Sequence, residues 1–171
     1  MPVFKFHFIV ALLLIILCGS SVLGQTNIPD GWRKVEAEGQ LTFYLPPDMK
    51  QANVHGIENL YQAYSNGRMK FSFVYEPDAV LAYEDRESQF GRDYQEIKTE
   101  VDGRPAFLFI YRREAQEGRP LSHNADVYVG DLPRAQVKLW MWASSPSVDD
   151  LEIARRIFKS VEFTKDKNAQ D

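Results

Sequence analysis

The stretch "SHNAD" brings a hydroxyl, an imidazole and a carboxylate within five residues, as Ser122, His123 and Asp126. These are the groups of a hydrolytic triad, in which the imidazole takes the serine proton and the carboxylate orients the imidazole. A triad is assembled by three-dimensional geometry, and adjacent residues rarely point at one another, so a turn is the simpler interpretation. The chain also has no G-x-S-x-G nucleophile elbow. We therefore expect no catalytic residue, and we keep a small hydrolase that uses His123 as the alternative.

The residue types give little support for a metal or cofactor site. Downstream of residue 25 the chain has two histidines, His55 and His123, and no cysteine, and no H-E-x-x-H pair occurs. The acidic pair Asp149 and Asp150 falls where a helix is predicted to begin, and carboxylates there complement the helix dipole. Neither G-x-G-x-x-G nor a P-loop is present. The sequence predicts no metal and no cofactor.

Two tryptophans give the strongest sign of a binding surface. In "VKLWMWASS" one face of a predicted strand is apolar, while the other face carries Lys138, Trp140 and Trp142. Large aromatic side chains usually serve burial, so we interpret the indoles mainly as core, with an aromatic binding surface as the alternative. The charged loop "RREAQEGRPLSHN" could bind an anion, although a run of charged residues is more often exposed to solvent and contributes only to solubility. The candidate binding residues are Trp140, Trp142, Lys138, Arg112, Arg113 and His123.

The chain begins with the pattern of a secretory signal peptide. Lys5 precedes an apolar run, and small residues follow up to Gly24, so we predict residues 1–24 as a signal that is cleaved before Gln25. An uncleaved anchor is the alternative, although the apolar segment is only marginally long enough to span a bilayer. Lipidation at Cys18 is disfavoured because the bulky Leu17 precedes that cysteine. We expect a periplasmic or extracellular protein without stable membrane insertion after cleavage.

The predicted mature chain has the composition of an ordinary single domain. Lys5 is the one charged residue before Gln25, so 19 of the 20 basic residues and all 24 acidic residues remain, for a net charge of −5. Without cysteine the domain must rely on a hydrophobic core, and its length suits one core. No basic block stands out, so we expect no nucleic-acid partner. We predict one domain over residues 25–163 and a disordered polar tail over residues 164–171.

Alternating apolar residues and turn signals predict a series of antiparallel strands. "KVEAEGQLTFYLPPDM" reads as a strand pair that ends at two prolines. Two hairpins follow, one around Asn66-Gly67 and one around Asp102-Gly103, and both dipeptides favour tight type I′ turns. The segments 106–111 and 137–143 are apolar on both faces, which is typical of strands that lie between two layers.

Two helices are predicted to supply those layers. The segment 77–90 begins with a proline and has a partial apolar stripe, and a longer pattern begins at Ser147, with Asp150 three residues on as in a capping box. The apolar side of this second helix is formed by Leu151, Ala154, Ile157, Phe158 and Val161. The predicted fold class is α+β, an antiparallel β-sheet meander covered by helices on both faces.

Three stretches together resemble the PsbP-like superfamily, whose founding member is an extrinsic subunit of photosystem II. They are "GWRKVEAEGQLTFYLPPDM", the hairpin "VDGRPAFLF" and the ending "IARRIFKSVEF", and they span most of the predicted mature chain in order. The resemblance implies an antiparallel sheet between helical layers, and it implies a non-enzymatic binding or assembly role. Nothing here resembles the photosystem-docking segment, so that role is not carried over. We expect an exported binding or accessory domain whose partner is a protein or a small ligand.

Overall fold

The computed structural model describes residues 28–53, 60–75, 92–130 and 137–164. Ten strands and one helix lie within these ranges. Their bounds are β1 Arg33–Ala37, β2 Leu41–Leu45, β3 Lys50–Gln51, β4 Leu60–Ser65, β5 Lys70–Tyr75, β6 Arg92–Val101, β7 Arg104–Arg113, β8 Ser122–Gly130, β9 Val137–Ser145, α1 Asp150–Lys159 and β10 Glu162–Phe163.

The strands form two antiparallel sheets. The larger sheet has the order β3-β4-β5-β9-β8-β7-β6, so β9 leaves the meander and inserts between β5 and β8. The smaller sheet has the order β1-β2-β10, in which the last strand pairs with β2. Every strand pairing among the described residues is antiparallel, as the alternating pattern and the turn signals predicted.

The two predicted hairpins are confirmed, and their turns differ. Asp102 and Gly103 have φ angles of 49° and 71°, so this tight turn has the predicted type I′ signature. The other hairpin has a longer loop over residues 66–69, and in it only Gly67 has a positive φ. The Asn66 side chain accounts for the difference, because its Oδ1 accepts hydrogen bonds from the amides of Arg68 and Met69 at 3.1 and 2.8 Å.

The main core lies between the larger sheet and a second layer built from the smaller sheet and α1. Phe43 on β2 is fully buried, and its ring lies 5.6 Å from that of Phe71 and 5.3 Å from that of Phe73. Ile157 and Phe158 of α1 are buried in the same cluster. Ser160 joins the two parts of the layer, because its hydroxyl accepts a hydrogen bond from the Tyr44 amide at 2.9 Å.

The start of α1 differs from the predicted capping box. The residue before the helix is Asp149, and it makes no side-chain capping bond. Ser147 lies further out, and its hydroxyl accepts a hydrogen bond from the Asp149 amide at 3.3 Å. The predicted partner Asp150 is instead buried, where Arg68 Nη2 donates to its Oδ1 at 2.6 Å and the Ser145 hydroxyl donates to its Oδ2. The sequence pattern assigned the Asp150 carboxylate to the helix cap, but this carboxylate instead forms a tertiary ion pair with Arg68.

The predicted fold class was wrong in its layers. Most of the described residues are in strands, and the one helix among them, α1, covers one face of the larger sheet together with β1, β2 and β10. The opposite face carries a separate aromatic cluster centred on Phe109, Tyr111 and Tyr128. Both faces of β7 carry apolar residues because aromatic side chains of neighbouring strands pack against one another on the face away from α1. The predicted helix 77–90 lies outside the described residues.

Both termini of the chain also extend past the described part. The predicted signal peptide and most of the predicted tail 164–171 lie outside the described residues, so the domain limits stay predictions. Thr164, the last described residue, donates a backbone hydrogen bond to Gln40 at 2.9 Å. Within the described ranges, no helix combines the length and the apolar character that crossing a bilayer requires.

Candidate binding groove

Aromatic rings form a continuous strip across the face of the larger sheet opposite α1. The rings of Trp140 and Trp142 lie 4.4 Å apart between centroids on β9. Tyr128 on β8 stacks on Trp140 at 5.3 Å with an interplanar angle of 12°, and Tyr61 on β4 stacks on Trp142 at 5.9 Å. Tyr128 in turn contacts Phe109 on β7 edge to face at 5.4 Å. Antiparallel register causes this alignment, because Tyr128 is directly opposite Trp140.

Beside this strip lies a groove with a volume of about 1250 Å³, which we call the indole groove. Tyr111, Trp140 and Trp142 contribute rings to its wall, and the hairpin tips at either end contribute polar and charged side chains. The charged residues that line it are Arg68, Lys70, Arg92, Arg113, Glu114, Arg119 and Asp126. Five of these are basic and two are acidic, although the whole chain has a net charge of −4. The groove therefore concentrates positive charge on an acidic protein.

The basic side chains of the indole groove differ in how strongly they are already engaged. Arg68 pairs with Asp150, and Arg92 Nε lies 3.6 Å from a carboxylate oxygen of Glu114. The Arg113 guanidinium carbon lies 5.3 Å from the Tyr111 ring centroid. Lys70 and Arg119 take part in none of the ion pairs formed within the described ranges. Among the described residues, these two cations have no carboxylate partner that a bound anion would have to displace.

Tyr111 and Asp126 form a buried polar pair beside the aromatic strip. The Tyr111 hydroxyl donates to Asp126 Oδ1 at 3.2 Å, and both residues are buried. Burial raises the pKa of Tyr111 far above its ordinary value, and the negative charge of Asp126 raises this pKa further. Tyr111 therefore stays a neutral donor throughout the physiological pH range. Close by, the Trp140 indole Nε1 is buried and has no hydrogen-bond acceptor among the described residues. An indole N–H normally finds a partner when buried, so a bound acceptor would satisfy it.

The structure divides the predicted binding residues between the two faces of the sheet. Trp140, Trp142 and Arg113 line the indole groove. The indoles combine features of both sequence interpretations, because both are partly exposed beside the groove while Trp140 also packs against the buried cluster. Lys138 falls within β9, but its side chain lies outside the described part.

Arg112 and His123 lie on the other face. They are directly opposite each other in the register of β7 and β8, next to the pair Ile110 and Ala125 that faces the main core. Arg112 is held by two carboxylates there, with its Nε 3.2 Å from Asp93 and its Nη2 3.1 Å from Glu114. The predicted loop 112–124 is thus shorter than expected, since β7 continues to Arg113 and β8 begins at Ser122.

The three residues of the possible triad are not brought together. Ser122, His123 and Asp126 all lie on β8, where successive side chains point to opposite faces of the sheet. Ser122 and Asp126 line the indole groove and His123 faces away from it. Ser122 Oγ instead lies 3.1 Å from the amide nitrogen of Asn124, which donates to it. Over the described ranges, no three His, Cys, Asp or Glu side chains are grouped to hold a metal ion.

Arg119 of the indole groove belongs to the charged loop that the sequence indicated as a possible anion clamp. Sequence reasoning missed Lys70 and Tyr111 as groove residues, and it considered Asp126 only as part of a triad. Tyr111 could have been found, because it follows Phe107 and Phe109 on the same face of a predicted strand. The others required the pairing of β9 with β5 and β8, which places Lys70 opposite Ser144 and Asp126 opposite Trp142. That pairing joins segments far apart in the chain, and no local sequence pattern predicts it.

Comparison with known proteins gives a match at the level of the fold. No family model matches the chain, and no curated protein sequence matches it. Among solved structures, the Ran-binding protein Mog1p of Saccharomyces cerevisiae is similar, with a TM-score of 0.52 and 9% sequence identity. The alignment covers 78% of this chain and 96% of Mog1p. Mog1p and the PsbP-like proteins share a fold, so this match agrees with the predicted resemblance at the level of the fold alone and gives no evidence that the chain is a PsbP-like protein. The chain has a fold like that of Mog1p.

Proposed function

We propose that this chain is an exported, non-catalytic binding subunit that holds an acidic segment of another protein in the indole groove. One observation carries the proposal, namely that two partly exposed indoles share the groove with five basic side chains. Trp, Tyr and Arg are the residues that most often dominate the energy of protein interfaces. Export is supported by the signal-peptide pattern of residues 1–24.

The dimensions of the groove favour a protein segment over a small ligand. Its volume of about 1250 Å³ exceeds the 300–1,000 Å³ that small-molecule sites usually enclose. The charged side chains lie at both ends of the groove, with Lys70 on one hairpin and Arg119 on the other. An extended chain with several carboxylates can reach both ends, and its apolar side chains can pack on Trp142 between them. A protein partner is also consistent with the fold, because the similar structure Mog1p is a Ran-binding protein.

Charge reversal in the groove should remove the partner. The double variant Lys70→Glu/Arg119→Glu is expected to lower capture of the partner by at least about tenfold, since each reversal replaces an attraction by a repulsion at the contact. The measurement is a pull-down of the tagged protein from the native envelope fraction, with captured proteins quantified by mass spectrometry. Capture by the unaltered protein should also weaken as the salt concentration rises.

Two control variants make this test specific. Lys34→Glu/Lys50→Glu changes the net charge by the same amount at exposed positions of β1 and β3, and it should leave capture unchanged. His123→Ala should also leave capture unchanged, because His123 faces away from the groove. Equal losses in the groove variant and the charge control would contradict the proposal. An enzymatic activity of the purified protein that disappears in His123→Ala would contradict its non-catalytic part.

A further inference from the structure

Among the described strands, β6 forms one open edge of the larger sheet. It has ten residues and pairs with β7 on one side, and no other strand of the described part pairs with it on the other. Residues 95–98 in its middle are all exposed. An open edge presents unpaired backbone N–H and C=O groups, and it can pair with the edge strand of another chain.

The tight turn after β6 fixes which backbone groups point outward. Asp102 and Gly103 form a two-residue loop, so Val101 and Arg104 beside it exchange both backbone hydrogen bonds. Hydrogen bonding alternates along an antiparallel strand, and Thr99 and Ile97 therefore also direct their backbone groups toward β7. The groups on the open side belong to the even-numbered residues between them, which include Glu96 and Lys98.

The side chains of this open edge are self-complementary in charge. In an antiparallel pairing of two copies about Ile97, Glu96 lies directly opposite the partner's Lys98, and the twofold axis repeats this pair. Both pairs fall at positions whose backbone groups point outward, so each can form a hydrogen-bonded rung. We propose that this chain forms a homodimer through β6, with Ile97 on the twofold axis.

The apolar contacts support the same register. Ile97 is 38% exposed and, with Val148, is one of the exposed large apolar side chains of the described residues. On the axis it meets its own copy in a non-hydrogen-bonded pair, the type in which opposing side chains approach most closely. Ile97 also borders a cavity of about 210 Å³ next to Val101, Leu108 and Phe158. The dimer brings the two copies of this apolar region together.

Other registers are less favourable or can be distinguished by experiment. A pairing centred on Lys98 would place two lysines opposite each other and Glu96 opposite Glu100, so like charges would meet at every rung. A pairing centred on Thr99 would use Lys98 and Glu100 as the oppositely charged pair and would leave Ile97 off the axis. The choice between Glu96 and Glu100 as the partner of Lys98 therefore identifies the register.

A charge swap within β6 tests the dimer. The protein purified after expression of the full chain is followed by sedimentation velocity over a dilution series, and it should dimerise reversibly. Lys98→Glu should raise the dimer dissociation constant by at least about tenfold, because two attractive pairs become repulsive. Adding Glu96→Lys should restore dimerisation, since the double variant recreates both pairs with the signs exchanged.

A second double variant is the matched control. Lys98→Glu/Glu100→Lys has the same composition as the restoring variant, but it should remain as weakly associated as Lys98→Glu alone. Far-ultraviolet circular dichroism confirms that each variant is folded, which these exposed positions favour. The proposal is overturned if the unaltered protein sediments as a monomer at its highest attainable concentration. It is also overturned if Glu100→Lys restores the dimer and Glu96→Lys does not.

Discussion

Phe43→Ala is expected to lower the free energy of unfolding by about 3–5 kcal/mol, the usual cost of removing a buried phenylalanine ring. Phe43 is fully buried, and it packs against Tyr64 as well as Phe71 and Phe73 of the larger sheet. These four rings join the smaller sheet to the larger one. The measurement is equilibrium unfolding in urea, followed by the fluorescence of the protein.

The neighbouring residue provides a control for this prediction. Tyr44 lies on the same strand with its side chain on the opposite face, and it is only partly buried. Tyr44→Ala should therefore cost about 1 kcal/mol or less, a typical value outside the core. Similar losses for the two variants would contradict the packing of β2 on the larger sheet. The order of the losses matters more than either value.

Asp150→Ala is expected to cost about 2–3 kcal/mol, because it removes a charged hydrogen bond and leaves the buried Ser145 hydroxyl without its acceptor. The side chain of Asp150 is 5% exposed and that of Arg68 is 59% exposed, so solvent weakens the Coulomb attraction and the figure stays below that of a fully buried pair. This residue also ties the start of α1 to the hairpin 66–69. The loss is measured by urea unfolding.

Asp149→Ala is the matched control for Asp150. Asp149 is exposed, precedes α1 directly and makes no side-chain capping bond, so its removal should change the unfolding free energy by less than about 0.5 kcal/mol. The sequence pattern alone gave Ser147 and Asp150 a capping role. A large loss of unfolding free energy in Ser147→Ala, together with a small loss in Asp150→Ala, would support the capping box and contradict the buried ion pair.

Short-range signals predicted the strands well because each one depends on a few neighbouring residues. The Asp102-Gly103 turn follows from two positions that tolerate positive φ, and the structure has both. Asn66-Gly67 shows the limit of this reasoning, since the same dipeptide type forms a longer loop when the Asn66 side chain accepts hydrogen bonds from two later amides. The helix after β9 was also predicted, although in the structure it ends at Lys159, before Val161 of the predicted apolar side.

The layers could not be predicted because an apolar face does not reveal what covers it. The second face of β7 carries Phe107, Phe109 and Tyr111, and the sequence interpretation covered it with a helix. In the structure aromatic rings from neighbouring strands contribute to this covering, with Phe109 packed against Tyr94 and Tyr128. Helical packing and cross-strand packing of rings produce the same apolar pattern in one strand.

The candidate site was predicted in part. Trp140 and Trp142 were recognised because side chains alternate along the predicted strand, which places both indoles on the same face. Arg113 was recognised as part of a basic run. Lys70 and Asp126 could not be assigned to the same site, since only the insertion of β9 between β5 and β8 brings them to one groove. His123 was favoured for its chemistry, whereas strand alternation directs it to the other face.

The accessibility of the indoles in a positively charged groove is the central claim, and charge-selective quenching of fluorescence tests it most directly. Trp32→Phe removes the one tryptophan outside the groove, so that Trp140 and Trp142 give all the indole signal. At fixed ionic strength, iodide should quench this signal several-fold more strongly than caesium, relative to free N-acetyltryptophanamide, because the basic side chains attract the anion. Lys70→Glu/Arg119→Glu should reduce that preference. Indoles that neither ion quenches, or that both ions quench equally, would contradict the account.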